Sequence, residues 1–122
     1  AGSGTLERCP NAKFILSHAG GYVPYAAYRI ALAASPRRDP ADGIAQLRKF
    51  YFDVALSGTP SALPSLLAFA APDHVLFGSD FPFANDAVVA SFTRLYDAFP
   101  LAAEQRQAIE RGTAERLFPR LA

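Results

Sequence analysis

The sequence has no methionine and no tryptophan, one cysteine and two histidines among 122 residues, and its 12 basic and 11 acidic side chains nearly cancel to +1. Each scarcity excludes something. A lone cysteine, Cys9, cannot close an internal disulfide and has no metal-type spacing around it, so a reducing compartment, the cytoplasm, is expected. Dispersed, balanced charge offers no footprint for nucleic acid or an anionic membrane surface, both of which need clustered Lys and Arg. Arg37-Arg38, beside a loop proline, reads as ordinary solvated surface. No stretch approaches the roughly 18 apolar residues of a membrane-spanning helix, and the start AGSGTLER lacks the basic-then-apolar order of a signal peptide. Without methionine the chain shows no translational start, so a fragment or a processed product is expected. Ala1-Gly2-Ser3-Gly4 are set aside as a frayed end or a remnant.

What is present is 51% apolar residues, enough for one core and one soluble domain over residues 1–122. Three short apolar runs stand out: residues 13–17 (KFILS), 50–55 (FYFDVA) and 74–78 (HVLFG). None alternates polar with apolar. Continuous aromatic and β-branched runs of this length read as strands of a parallel sheet buried on both faces. Between them the period becomes helical. Pro24 opens a helix through Tyr25, Tyr28, Ile30, Leu32 and Ala33 that Pro36 stops, and residues 41–49 form a second around Ile44 and Leu47. Thr59 is the expected N-cap of a helix burying Leu63, Leu66, Leu67 and Ala70. Asn85 or Asp86 caps another, whose Val88, Val89, Phe92, Leu95, Tyr96 and Phe99 form an apolar stripe. A last helix over residues 102–117 is expected to break at Gly112.

The fold class is therefore α/β, built of repeated βα units. A five-stranded flavodoxin-like domain suits the length and a (β/α)8 barrel of about 250 residues does not, yet three strands complete neither.

The chemistry gathers at two strand ends. His18 follows KFILS and precedes Ala19-Gly20-Gly21; Asp80 follows HVLFG in the run Gly78-Ser79-Asp80-Phe81-Pro82-Phe83. Both lie past the C-terminal ends of parallel strands, the edge where α/β sheets place catalytic groups. Either alone reads as a structural hydrogen bond or a helix cap; together on one edge they read as a site. Asp53 lies inside its strand, where a buried hydrogen bond is its expected role. A phosphoacceptor receiver reading fails because that chemistry wants an acidic pair and a lysine where this chain has His18 and Asp80. Phe81, Phe83 and Tyr25 are candidates for a pocket mouth, and the other aromatics for the core.

Four segments carry a resemblance: Ser17-His18-Ala19-Gly20-Gly21 with Pro24 and Arg29; Tyr51-Phe52-Asp53-Val54-Ala55; Leu76-Phe77-Gly78-Ser79-Asp80-Phe81-Pro82-Phe83; and Gly112-Thr113-Ala114-Glu115-Arg116-Leu117-Phe118. In this order they resemble the amidohydrolase-related family, nearest its metal-dependent decarboxylase branch, typified by aminocarboxymuconate semialdehyde decarboxylase. The resemblance implies strands six to eight of a distorted (β/α)8 TIM barrel with one divalent metal, usually zinc, at the C-terminal mouth. It implies that Asp80 is a metal ligand and catalytic residue. It makes His18 the catalytic group beside the metal's water rather than a firm ligand, and Arg29 the holder of a substrate carboxylate, in some members across a dimer interface.

The family's His-x-His ligand pair, on strand one, is absent, as is the strand-five ligand. The terminal helix reads Thr113-Ala114 where the family usually has Asn-Ala. His74 and Cys9 precede their strands, and His74 is about 20 Å from Asp80 at 3.3 Å per residue, so neither replaces a missing ligand. The chain alone is thus expected to bind metal weakly and to be inactive. One expectation is a portion of a decarboxylase acting on a small unsaturated or aromatic carboxylic acid, or of a hydrolase of the same superfamily. The other is a catalytically silent α/β module that folds by association. In both, unpaired strand edges call for self-association or a missing N-terminal portion.

Overall fold

The computed structural model describes residues 4–34 and 39–121. All three apolar runs form strands: β1 (Ile15–Leu16), β2 (Tyr51–Asp53) and β3 (Val75–Leu76), parallel and in the order β1-β2-β3. Ile15 pairs with Tyr51 and Leu16 with Phe52; Phe52 pairs in turn with Val75 and Asp53 with Leu76. A single turn, α1 (Thr5–Arg8), precedes the sheet. A 3₁₀ turn (His18–Gly20), α2 (Val23–Ala34) and α3 (Pro40–Leu47) link β1 to β2, and α4 (Leu63–Phe69) with a 3₁₀ turn (Pro72–His74) links β2 to β3. Then follow α5 (Asp86–Ala98), α6 (Ala103–Gln107), a π turn (Ala108–Gly112), α7 (Thr113–Leu117) and a 3₁₀ turn (Pro119–Leu121). Residues 1–3, Pro36 as helix stop, and the Arg37-Arg38 pair lie outside the described residues.

Local chemistry sets the helix starts. The Asp39 carboxylate accepts from the Ala41 N–H (2.8 Å) and the Asn85 amide oxygen from Val88 N–H (3.1 Å), each satisfying a donor that the first turn leaves unpaired. Thr59 differs from expectation: it caps a turn ahead of the helix, its hydroxyl accepting from Ala62 N–H at 3.2 Å. The helix starts only at Leu63 because Pro64, which has no N–H to lose, fits its first turn. Gly112 does not break the last helix. The backbone instead widens into a π turn over Ala108–Gly112, and the Ile109 carbonyl receives the Phe77 N–H at 2.8 Å, tying the end of β3 to this segment.

The core centres on β2. Phe52 is fully buried and edge-on to Phe69 (centroids 6.0 Å apart), surrounded by Leu63, Leu66, Val75, Tyr96 and Ile109. Helices α2 and α3 meet through small residues: a Cβ at Gly43 would stand 2.6 Å from that of Ala31. The expectation of strands buried on both faces holds for β3, holds on one face of β2, where Phe52 is buried but Tyr51 and Asp53 are half-buried, and fails for β1, where Ile15 and the preceding Phe14 are each 39% exposed. β1 is a sheet edge, and among the described residues nothing pairs with its outer side. The α5 stripe is likewise only partly covered: Tyr96 is buried, while Val88 and Leu95 face outward.

Candidate active site

Among the described residues, four non-glycine positions have positive φ: His18 (56°), Ala19 (57°), Leu56 (49°) and Asp80 (67°). All four lie past the C-terminal ends of β1, β2 or β3. An L-residue pays about 1–2 kcal/mol for this conformation, and such strain persists where surrounding contacts over-determine it, as at functional sites. The sheet's C-terminal edge is therefore held by its surroundings in an unfavourable shape.

The contacts that hold it are visible at His18. Its backbone N–H donates to Asp53 Oδ1 at 2.8 Å, and its ring Nδ1 lies 3.0 Å from the Ala55 carbonyl oxygen. A carbonyl can only accept, so Nδ1 carries the proton and Nε2 is left for the site. Asp53 Oδ1 also accepts the Ala55 N–H at 3.0 Å, so one carboxylate oxygen ties both ends of this arrangement. Gly20 lets the turn sit on the core: it has φ +71°, and a Cβ there would be 2.9 Å from the Phe52 ring.

Asp80 comes from the next strand but one. The Ser79 hydroxyl accepts from Phe81 N–H (3.3 Å) and the Asp80 carbonyl from Ala84 N–H (2.8 Å), closing a tight turn around it. Asp80 Oδ1 stands 3.8 Å from His18 Nε2, with the side chains 23% and 46% exposed. A carboxylate of the donor type a divalent ion takes and, beside it, an imidazole nitrogen free to exchange a proton converge from two strand ends, so these residues fit a share of a metal site. They do not make a whole one: no group of three or more His, Cys, Asp or Glu suited to holding a metal occurs among the described residues. His74 is committed elsewhere, its Nδ1 3.0 Å from the Phe50 carbonyl oxygen and its ring stacked on Tyr51, at the opposite end of the sheet from Asp80. Cys9 is exposed and free.

Beside His18 lies an open depression of about 370 Å³ lined by Pro24, Tyr25, Ser57, Ser61 and Ser65. Tyr25 stands at this mouth, whereas the strongly exposed Phe81 and Phe83 do not line it. Arg29 is on the exposed side of α2, one helical turn beyond Tyr25, and makes none of the depression's wall. The three serines escaped the sequence reading, because only the fold brings the turns after β2 and the first turn of α4 beside His18. Deeper in the fold, Tyr96 sits edge-on to Phe77 with the Arg106 guanidinium 5.1 Å above its ring. Its hydroxyl is buried without a hydrogen-bond partner. Burial foremost, then the Glu110 charge, pushes its pKa up to about 12 against the opposing pull of Arg106.

Comparison with known proteins agrees with this geometry. Residues 1–120 match the amidohydrolase family. The chain is 44% identical over 124 residues to a 6-methylsalicylic acid decarboxylase of Penicillium expansum, covering 98% of this chain and 38% of that enzyme. A crystal structure of an amidohydrolase II superposes with a TM-score of 0.82 at 34% identity, over 93% of this chain and 37% of the other. A dihydroxybenzoic acid decarboxylase from Polaromonas sp., solved with manganese and an inhibitor, superposes with a TM-score of 0.79 at 23% identity, over 99% of this chain and 38% of its own. The chain thus spans under two fifths of the length of these proteins, and its three-stranded sheet is part of a barrel. By its sequence across almost its whole length and by its fold, this chain belongs to the amidohydrolase family.

Proposed function

We propose that this chain supplies strands six to eight of a metal-dependent enzyme that decarboxylates a small aromatic carboxylic acid without oxidation. The observation that carries this reading is the 44% identity, across 98% of the chain, to an enzyme named for decarboxylating 6-methylsalicylic acid. The proposed setting is the cytoplasm, which suits the single exposed cysteine. The partner is whatever completes the barrel, the preceding strands or a second copy, since β1 offers an unpaired edge with Phe14 and Ile15 exposed.

In such a reaction the bond from ring carbon to carboxyl breaks, its electron pair stays on the ring, CO₂ leaves, and the ring carbon takes up a proton. When bound, a divalent ion supplies Lewis-acid polarisation of substrate oxygens; Asp80 would hold it, and zinc is the proposed ion, with manganese the other candidate. His18 is suited to moving the proton: with Nδ1 committed to the Ala55 carbonyl, Nε2 is the nitrogen that gives or takes it. The Ser57, Ser61 and Ser65 hydroxyls offer hydrogen bonds to oxygen substituents on a ring, and Tyr25 and Pro24 offer it an apolar wall. Arg29, outside this depression, would offer the planar fork that matches a carboxylate to the site of a second copy across an interface.

The test is made on the completed barrel with 6-methylsalicylate as substrate. Asp80→Ala should lose metal and turnover together. His18→Ala should keep its metal and lower kcat by about 10² to 10⁴, the usual worth of a positioned acid or base. If His18→Ala emptied the metal site, a hydrolase-like site with this histidine as ligand would replace the decarboxylase reading.

A further inference from the structure

We propose that Asp53 is a positioning residue that sets both the backbone and the ring orientation of His18. This inference rests on the reading of His18 as the proton-carrying group and adds the device that aims it.

One oxygen does two things. Asp53 Oδ1 accepts the His18 N–H at 2.8 Å, fixing the first residue of a turn whose φ of 56° an L-residue adopts only under constraint. The same oxygen accepts the Ala55 N–H at 3.0 Å, which holds Ala55 in the bend that ends β2. Ala55 is the residue whose carbonyl receives the His18 Nδ1–H at 3.0 Å. The carboxylate therefore grips the donor loop and the acceptor loop of the bond that orients the imidazole. Both its hydrogen bonds are charge-assisted, which makes them short and directional. The third strand makes room for it: a Cβ at Gly78 would lie 3.2 Å from Asp53 Cβ and 3.3 Å from both its Cγ and Ala55 Cβ. Gly78 thus lets the end of β3, which leads into Asp80, close directly over the clamp.

Two perturbations reach the same device from different sides. Asp53→Ala removes the shared acceptor. Gly78→Ala leaves it in place and presses on it. Asp53→Asn keeps an oxygen able to accept both N–H groups. In the completed barrel, Asp53→Ala should lower kcat about 10²-fold, the cost of misplacing a reacting group by about 1 Å, with KM within threefold and metal content unchanged. Asp53→Asn should stay within fivefold of the parent, and Gly78→Ala should fall between the two. A crystal structure of Asp53→Ala should show the His18 Nδ1 to Ala55 oxygen contact broken.

Native kcat in Asp53→Ala, where His18→Ala is slowed as expected, would overturn the inference and leave the functional reading standing. A full-activity His18→Ala would remove the functional reading instead. The crystallographic contact would then still decide the role of Asp53: broken supports it, intact refutes it. Should Asp53→Ala fail to fold, a folded, metal-loaded Asp53→Asn as impaired as His18→Ala would overturn it equally.

Discussion

Replacing Gly20 by alanine tests whether the turn carrying His18 is held against the core as closely as the distances require. The new Cβ would stand 2.9 Å from Cδ1 and Cε1 of Phe52, closer than real Cβ atoms come to anything. Phe52 cannot retreat, being fully buried on the central strand with Phe69 edge-on beside it. Backbone strain at φ +71° adds about 1–2 kcal/mol, and overpacking adds about 1–3 kcal/mol. The expected loss in the completed barrel is about 2–5 kcal/mol, or, at about 320 residues, a melting temperature lower by about 3–8 °C. Circular dichroism during heating and urea unfolding both report it, with an unchanged urea slope showing that stability alone has shifted. Phe52→Leu frees space for the new methyl group, so the double variant should lose at least about 1 kcal/mol less than the two single losses summed. A loss under about 1 kcal/mol for Gly20→Ala, or no coupling to Phe52→Leu, would refute the close-approach argument.

Arg29→Ala should raise KM for the carboxylate substrate with kcat little changed, because holding a carboxylate acts on ground and transition states alike; Arg29→Lys should recover only part. Steady-state kinetics check both. Tyr96 binds its proton more tightly folded (pKa about 12) than unfolded (about 10), so its contribution to stability is intact below pH 10 and is lost as pH rises toward 12. Tyr96→Phe should flatten that alkaline decline in urea unfolding series. At pH 7 it should cost little, since the hydroxyl it removes is buried without a partner.

The strands were legible because the signal is local. Unbroken apolar runs bounded by turn residues mark buried parallel strands wherever they lie, and parallel strands send the residues that follow them to one edge. That is enough to place His18 and Asp80 on the same side of the sheet before any contact is known. The cap at Asn85 is equally local, since a short polar side chain reaches a backbone N–H three residues ahead.

What did not emerge from the sequence depends on neighbours brought together from afar. The apolar run at β1 looks like that at β3, and both are sheet edges, yet β1 is half-exposed and β3 buried, because what covers each edge is decided by the rest of the fold. Val88 and Leu95 obey the helical period as faithfully as Tyr96 does, but only Tyr96 meets the core. Asp53 could be read as a hydrogen-bonding residue. Its partners, the N–H of His18 from 35 positions back and that of Ala55 two positions on, required the register of Leu16 against Phe52 to be fixed first. Periodicity and turn chemistry act over a few residues, and they settled the element types and the shared edge of the two strand ends. Edge exposure, the grip on His18 and the serine-lined depression arise from distances across the fold, which no run of neighbouring residues encodes.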